Sequence, residues 1–291
     1  MSKLEVFRQP LSIDLSGFVG LLRRLQVPHR VTEEGDAQVL WIDPRWSADS
    51  VRELYQRYPD GNAEVDTSAL PALAPAARPS LLAQARSNPV TAVVLLLSVV
   101  VAALTWLGED LAHLRWLTFL DFHVEGEYIY FDSLASSLAG GQWWRLITPM
   151  LVHFGILHLA MNGLWYWELG RRIEQRQGHL SLVGLTLIFS LVSNYAQYAV
   201  GGPSLFGGLS GVLYGLLGHC WLYQWLAPNA HYHLPRGVLV MMLVWLLVCM
   251  SGVVGALGFG EIANAAHVGG LLAGCLTGLL GGALARRRLS R

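Results

Sequence analysis

From residue 90 onward the chain is dominated by long apolar runs, and that feature excludes most of the folds open to 291 residues. A helix needs roughly twenty apolar residues to cross a hydrocarbon core of about 30 Å, because each residue advances it by only about 1.5 Å. Runs near that length fall at 90–107, 155–173, 180–200, 210–226, 238–254 and 264–285. Lipid offers the backbone no hydrogen-bond partners, so each run is expected to be a helix. The composition agrees. Hydrophobic residues make up 53% of the chain and charged residues 14%, with a mean hydropathy of +0.42. Soluble domains carry about a quarter charged residues.

The arginines orient these runs. Arg86 precedes the first, Arg171, Arg172 and Arg176 follow the second, and Arg236 precedes the fifth. Arg286, Arg287, Arg288 and Arg291 follow the sixth, and no Lys or Arg lies between Gln177 and Pro235. These groups share one side if the chain crosses six times with both termini cytoplasmic, as the positive-inside rule requires. The opposite loops carry only Arg115 and Arg145, both in the long connection 108–154. A net charge of zero argues against a nucleic-acid partner. Cys220, Cys249 and Cys275 all fall in apolar runs, which reads as three buried thiols. Residues 1–20 hold no continuous apolar stretch, so no signal peptide is expected.

Ahead of the apolar region, residues 1–66 read as a small cytosolic α+β domain. A strand is expected at 4–8 and a helix at 17–25, capped from within 12–16. A hairpin, 29–32 with 38–43, turns at Glu34-Gly35-Asp36, and Ser47 to Ser50 cap a helix through Arg57. With no metal cluster, phosphate loop or catalytic constellation, this domain reads as a regulatory or docking module. Residues 67–88, with Pro71, Pro75 and Pro79, read as a linker, 89–285 as the bundle and 286–291 as a basic cytosolic tail. The fold class expected is an all-α membrane protein, a bundle of six transmembrane helices with an α+β appendage.

The second, fourth and sixth runs all start on the outer side, and each carries polar groups in its first two turns: His158 and Asn162, then Ser210, then His267. An ionisable residue inside a membrane costs about 2.5–3.5 kcal/mol on insertion scales and is a functional hypothesis by default. Ser210 follows Gly207-Gly208-Leu209 at a helix start, where free N–H groups and the helix dipole favour a developing negative charge. Taken alone, a serine among glycines is more often a packing residue, and a lone histidine a hydrogen-bonded core residue.

Glycine spacing joins the two. Gly270, Gly274, Gly278 and Gly282 recur every four residues on the sixth run, and Gly211, Gly215 and Gly218 smooth the fourth. Such stripes let helices approach closely, which would bring Ser210 and His267 within reach as nucleophile and base. His158 and Asn162 share a helix face and either donate to an oxyanion or bond neighbouring helices. Tyr214, one turn below Ser210, orients the imidazole or is plain core. A zinc site from His153, His158 and His267 competes with this reading. No HExxH occurs, and Glu168 and Glu174 lie toward the inner face, so neither metal nor cofactor is expected. Val212 occupies the last glycine of a GxSxG elbow, and no Asp follows Asp132 for an intramembrane aspartyl pair.

Over roughly 89–285 the chain resembles the rhomboid intramembrane serine proteases. The resemblance rests on Trp144-Arg145, the stretch from His153 to His158 with Asn162, and Gly170, Glu174 and Gly178. It continues in Gly208-Leu209-Ser210-Gly211 with Tyr214, and in Ala266-His267 with Gly270. It implies a Ser210–His267 dyad without an acid, and an oxyanion hole from His158, Asn162 and the Ser210 amide. Tyr214, beneath the histidine, Gly208 and Gly270 would support the site; Trp144, Arg145 and Glu174 would be structural. The implied activity is endopeptidase cleavage of transmembrane or juxtamembrane segments of membrane proteins, with a small residue before the cut. The implied setting is the lipid bilayer of the bacterial inner membrane, with the site opening to the periplasm.

In such proteins the fifth helix and the loop before the sixth move to admit substrate, which here concerns Trp245, Met161 and 255–262, a glycine-rich loop with Phe259 its one aromatic. Catalytically dead relatives imply the alternative, a non-catalytic adaptor that binds transmembrane clients. The glycine faces fit packing within one chain or between chains.

Overall fold

The computed structural model describes residues 4–61, 80–257 and 261–289. The chain divides into two compact units, Met1–Ser80 and Leu81–Arg291.

In the first unit, β1 (Leu4–Pro10), β2 (His29–Glu34) and β3 (Ala37–Ile42) form an antiparallel sheet ordered β1-β3-β2. Gly35, at φ +65°, supplies the left-handed conformation of the two-residue turn between β2 and β3. Two helices, α1 (Ser16–Arg24) and α2 (Ala48–Arg57), cover the sheet. Asp14 Oδ1 accepts the Ser16 N–H at 2.8 Å, and Ser47 Oγ accepts the Ser50 N–H at 3.3 Å. Their buried faces, Phe18, Leu21 and Leu22 with Val51 and Leu54, close on Val6, Leu40 and Ile42.

The second unit begins with α3 (Leu81–Ser87), where the end of the linker is expected; most of that linker lies outside the described residues. A bend of 111° at Asn88 leads into α4 (Pro89–Leu104). This helix stops three residues short of the expected 107, because Trp106 and Leu107 take left-handed φ of +47° and +56°. The long connection is structured. It holds α5 (Leu111–Leu114), a hairpin of β4 (Phe122–Glu125) and β5 (Tyr128–Phe131), α6 (Leu134–Ala139) and two 3-10 turns. The remaining helices are α7 (Ile156–Gln177), α8 (His179–Gly201), α9 (Ser210–Leu226), α10 (Arg236–Met250), α11 (Val253–Ala256) and α12 (Asn264–Leu289). Gly252, at φ +79°, separates α10 from α11, so Val253 and Val254 do not continue the fifth helix as expected.

A helix therefore stands at each of the six expected positions. By length and hydropathy, α8 and residues Asn264–Arg288 of α12 can each cross a membrane, and the bent pair α3–α4 can do so jointly. In α7 the last three turns carry Glu168, Arg171, Arg172, Glu174 and Arg176, while α9 and α10 are short. At the centre lies α9, buried at every residue from Gly211 to Cys220, as an all-round apolar helix must be. Its closest neighbour is α12, followed by α8 and α7.

Candidate active site

Ser210 is the first residue of α9, and the two glycines before it fix its approach. Gly208 has φ +118°, a conformation costly for any side chain, and its N–H donates to the Pro149 carbonyl at 2.9 Å. A Cβ on Gly207 would lie 2.8 Å from the Pro149 oxygen and from Val152 Cβ. One on Gly208 would lie 2.8 Å from His158 Nε2 and 3.5 Å from Asn162 Nδ2. The segment into the serine thus passes between a loop carbonyl and the polar face of α7.

Glycines also set the distance to α12. A Cβ on Gly270 would collide with the Gly211 carbonyl oxygen, and one on Gly274 with that of Gly215. One on Gly278 would lie 2.6 Å from the His219 carbonyl oxygen. A Cβ on Gly215 itself would collide with the Phe189 ring of α8. At this separation His267 Nε2 stands 2.8 Å from Ser210 Oγ. The Tyr214 ring lies 5.0 Å from the imidazole at 44°, and its hydroxyl donates to the Met242 carbonyl of α10 at 3.1 Å.

Across from the serine, the Phe154 N–H donates to His158 Nδ1 at 3.3 Å, which leaves the ring proton on Nε2, the nitrogen toward Gly208. Asn162 Nδ2 is buried and has no hydrogen-bond partner among the described residues. A free amide donor, an Nε2–H and the amides at the start of α9 can together receive an oxygen that gains negative charge. His153 stays outside this arrangement: its Nδ1 donates to the Leu151 carbonyl at 3.0 Å and its ring meets His158 edge-on. Among the described residues no three His, Cys, Asp or Glu side chains gather as a metal set.

The other predicted residues brace the surroundings. Arg145 is fully buried; its Nε donates to Gln142 Oε1 at 2.6 Å, and its Nη1 to the carbonyls of Arg115 and Thr118. Its Nη2 is 3.1 Å from Asp121 Oδ2, an ion pair by distance whose angle is too poor for a hydrogen bond. Burial pulls this guanidinium below its ordinary pKa, and the Asp121 carboxylate opposes the shift. Trp144 Nε1 donates to the Trp116 carbonyl at 2.9 Å. Glu174, far down α7, accepts from the Val90 and Thr91 amides at 2.8 and 2.9 Å, and from the Thr91 hydroxyl at 2.6 Å. His179 Nδ1, at 2.7 Å, adds α8 to this knot. Trp245 and Met161 are exposed on α10 and α7, and Phe259 lies outside the described residues.

Two contributors escaped sequence reasoning. The Pro149 carbonyl holds Gly208, and Gln197 Oε1 accepts the Ala266 N–H at 3.2 Å, in the first turn of the helix that carries His267. A backbone acceptor leaves no mark in sequence. Gln197 sits in an apolar run, a signal of the same kind as His267.

Residues 140–284 match the family described as Rhomboid domain, and residues 1–69 the one described as Rhomboid N-terminal domain. Rhomboid protease GlpG of Yersinia pestis (strain Pestoides F) is 35% identical over 193 residues, and that of Serratia proteamaculans (strain 568) 36% identical over 193 residues. Each match takes in 66% of this chain and 63% of the relative's length.

Proposed function

The chain belongs to the rhomboid family and is a bacterial integral membrane protein; on that premise we propose that it is an intramembrane serine endopeptidase. Its substrates are membrane proteins, cut within or beside their transmembrane segments. The observation that supports this most is the 2.8 Å pairing of Ser210 Oγ with His267 Nε2, two polar side chains from apolar helices, 57 residues apart in sequence.

In the proposed reaction, His267 Nε2 takes the Ser210 proton as Oγ bonds to the scissile carbonyl carbon. The carbonyl oxygen gains negative charge and is received by the Ser210 amide, Asn162 Nδ2 and His158 Nε2–H. Each such donor typically lowers the barrier by about 2.7–4 kcal/mol. Collapse of the tetrahedral adduct expels the amine, which takes its proton from Nε2, and leaves an acyl-serine. Water, deprotonated by the same nitrogen, hydrolyses the ester and restores the hydroxyl. In the proposed topology α4, α7, α8, α9, α10 and α12 each cross the bilayer. Both termini and the small α+β domain are cytosolic, and Ser210 opens toward the periplasm.

Ser210→Ala tests the reading. In liposomes, the wild-type chain is expected to cut a reporter transmembrane substrate and to be labelled by a fluorophosphonate at Ser210. The variant is expected to do neither while remaining folded. Persisting cleavage in the variant refutes the nucleophile. Folded wild-type protein that neither labels nor cleaves supports the adaptor alternative.

A further inference from the structure

The base makes one of its two possible hydrogen bonds. Nε2 faces Ser210, and for that nitrogen to accept a proton, Nδ1 must be the one carrying hydrogen. Nδ1 is buried and has no hydrogen-bond partner among the described residues. Other polar groups of the site have partners of their own. The Tyr214 hydroxyl donates to the Met242 carbonyl, His158 Nδ1 takes the Phe154 N–H, and Gln197 Oε1 takes the Ala266 N–H.

One buried acceptor in the same helix is also unsatisfied. Asn264 opens α12, three residues before His267, and its Oδ1 is buried without a partner among the described residues. Its Nδ2 donates to the Cys249 carbonyl at 3.2 Å, which fixes which end of the amide is the oxygen. Side chains three apart on a helix are neighbours, and all lean toward its amino terminus, so the imidazole leans toward Asn264. A donor and an acceptor, each desolvated and each unpaired, thus lie one turn apart on α12. Buried polar groups are rarely left so.

We propose that Asn264 is the positioning residue for the base: its Oδ1 receives the Nδ1–H hydrogen bond of His267 across one water molecule. The amide then holds the ring in the tautomer that leaves Nε2 free to accept from Ser210, and steadies the imidazolium once it forms. It transfers no proton itself. The proposal rests on the protease reading and adds to it an orienting acceptor for the base.

The two halves of the Asn264 amide can be separated by substitution in the full-length chain in liposomes. Asn264→Leu removes both, while Asn264→Asp keeps an acceptor oxygen at the same reach. The Leu variant is expected to lose about 10–100-fold in kcat and in fluorophosphonate labelling rate, with KM changed by less than about twofold. The Asp variant is expected to recover at least about tenfold of that loss. A Leu variant within about threefold of wild-type kcat overturns the proposal, as does an Asp variant no faster than the Leu variant. Should the Leu variant not fold, the Asp variant decides alone: within about threefold of wild type supports the proposal, and a loss above that overturns it. If wild-type cleavage does not depend on Ser210, the protease reading has failed rather than this one.

Discussion

Replacing Gly270 with alanine tests whether the spacing of α9 and α12 sets the serine–histidine distance. The new Cβ would collide with the Gly211 carbonyl oxygen and stand 2.8 Å from that carbonyl carbon. Carbon atoms rest about 3.5–4.0 Å apart, so the helices must separate by about 1 Å. No side chain can yield instead, since the atoms met are backbone. Ser210 lies one residue before Gly211 and His267 three before Gly270, so the separation acts directly on their 2.8 Å contact. Stretched by about 1 Å, it exceeds the reach of a hydrogen bond. Misplacement on that scale costs about 10²-fold in rate, and overpacking costs about 1–3 kcal/mol in stability.

The assay is cleavage of a reporter transmembrane substrate in liposomes, beside thermal unfolding of the same preparation. Gly184→Ala in α8 is the control, because a Cβ there meets nothing within 4 Å. It is expected to leave cleavage unchanged and to stabilise slightly, by about 0.5–1 kcal/mol. A Gly270→Ala protein that cleaves and melts like this control would show that the glycine contact does not set the geometry.

Two further substitutions probe the bracing. Glu174→Gln puts an amide where a carboxylate now receives the Val90 and Thr91 amides, the Thr91 hydroxyl and His179. A loss of about 3 kcal/mol is expected in thermal or denaturant unfolding, and a loss near zero refutes the role of this knot. Arg145→Lys keeps the charge but loses the planar fork that reaches Gln142, the Arg115 and Thr118 carbonyls and Asp121. About 2 kcal/mol is expected to be lost in unfolding, whereas full stability would mean that charge alone suffices.

Much of the bundle was legible because apolar runs and four-residue glycine spacing are strong signals. Those stripes led from Ser210 to His267 without any local sequence link. The β2–β3 hairpin was readable from Gly35, whose positive φ the turn needs. The β4–β5 hairpin was not: its strands are four residues each, and its turn, Glu125-Gly126-Glu127-Tyr128, reads as a polar loop. The α3 helix was hidden by its neighbours, since the prolines before it coloured a segment whose own Leu, Ala, Gln and Arg favour helix. Helix ends were missed where the backbone decides them, as at Trp106 and Leu107. For Tyr214 the sequence left two readings open; its ring lies 5.0 Å from the His267 imidazole, and its hydroxyl ties α9 to α10.

The brevity of α9 bears on the proposed topology. Its seventeen residues make a post about 25 Å tall, in a slab about 30 Å thick. If that post stands as a span, the shortfall is a shallow well on the side where Ser210 begins the helix. The buried residues from Val212 to Leu217 follow Ser210 along the helix. Under the proposed protease reading, the water that hydrolyses the acyl-serine then enters from the Ser210 face alone.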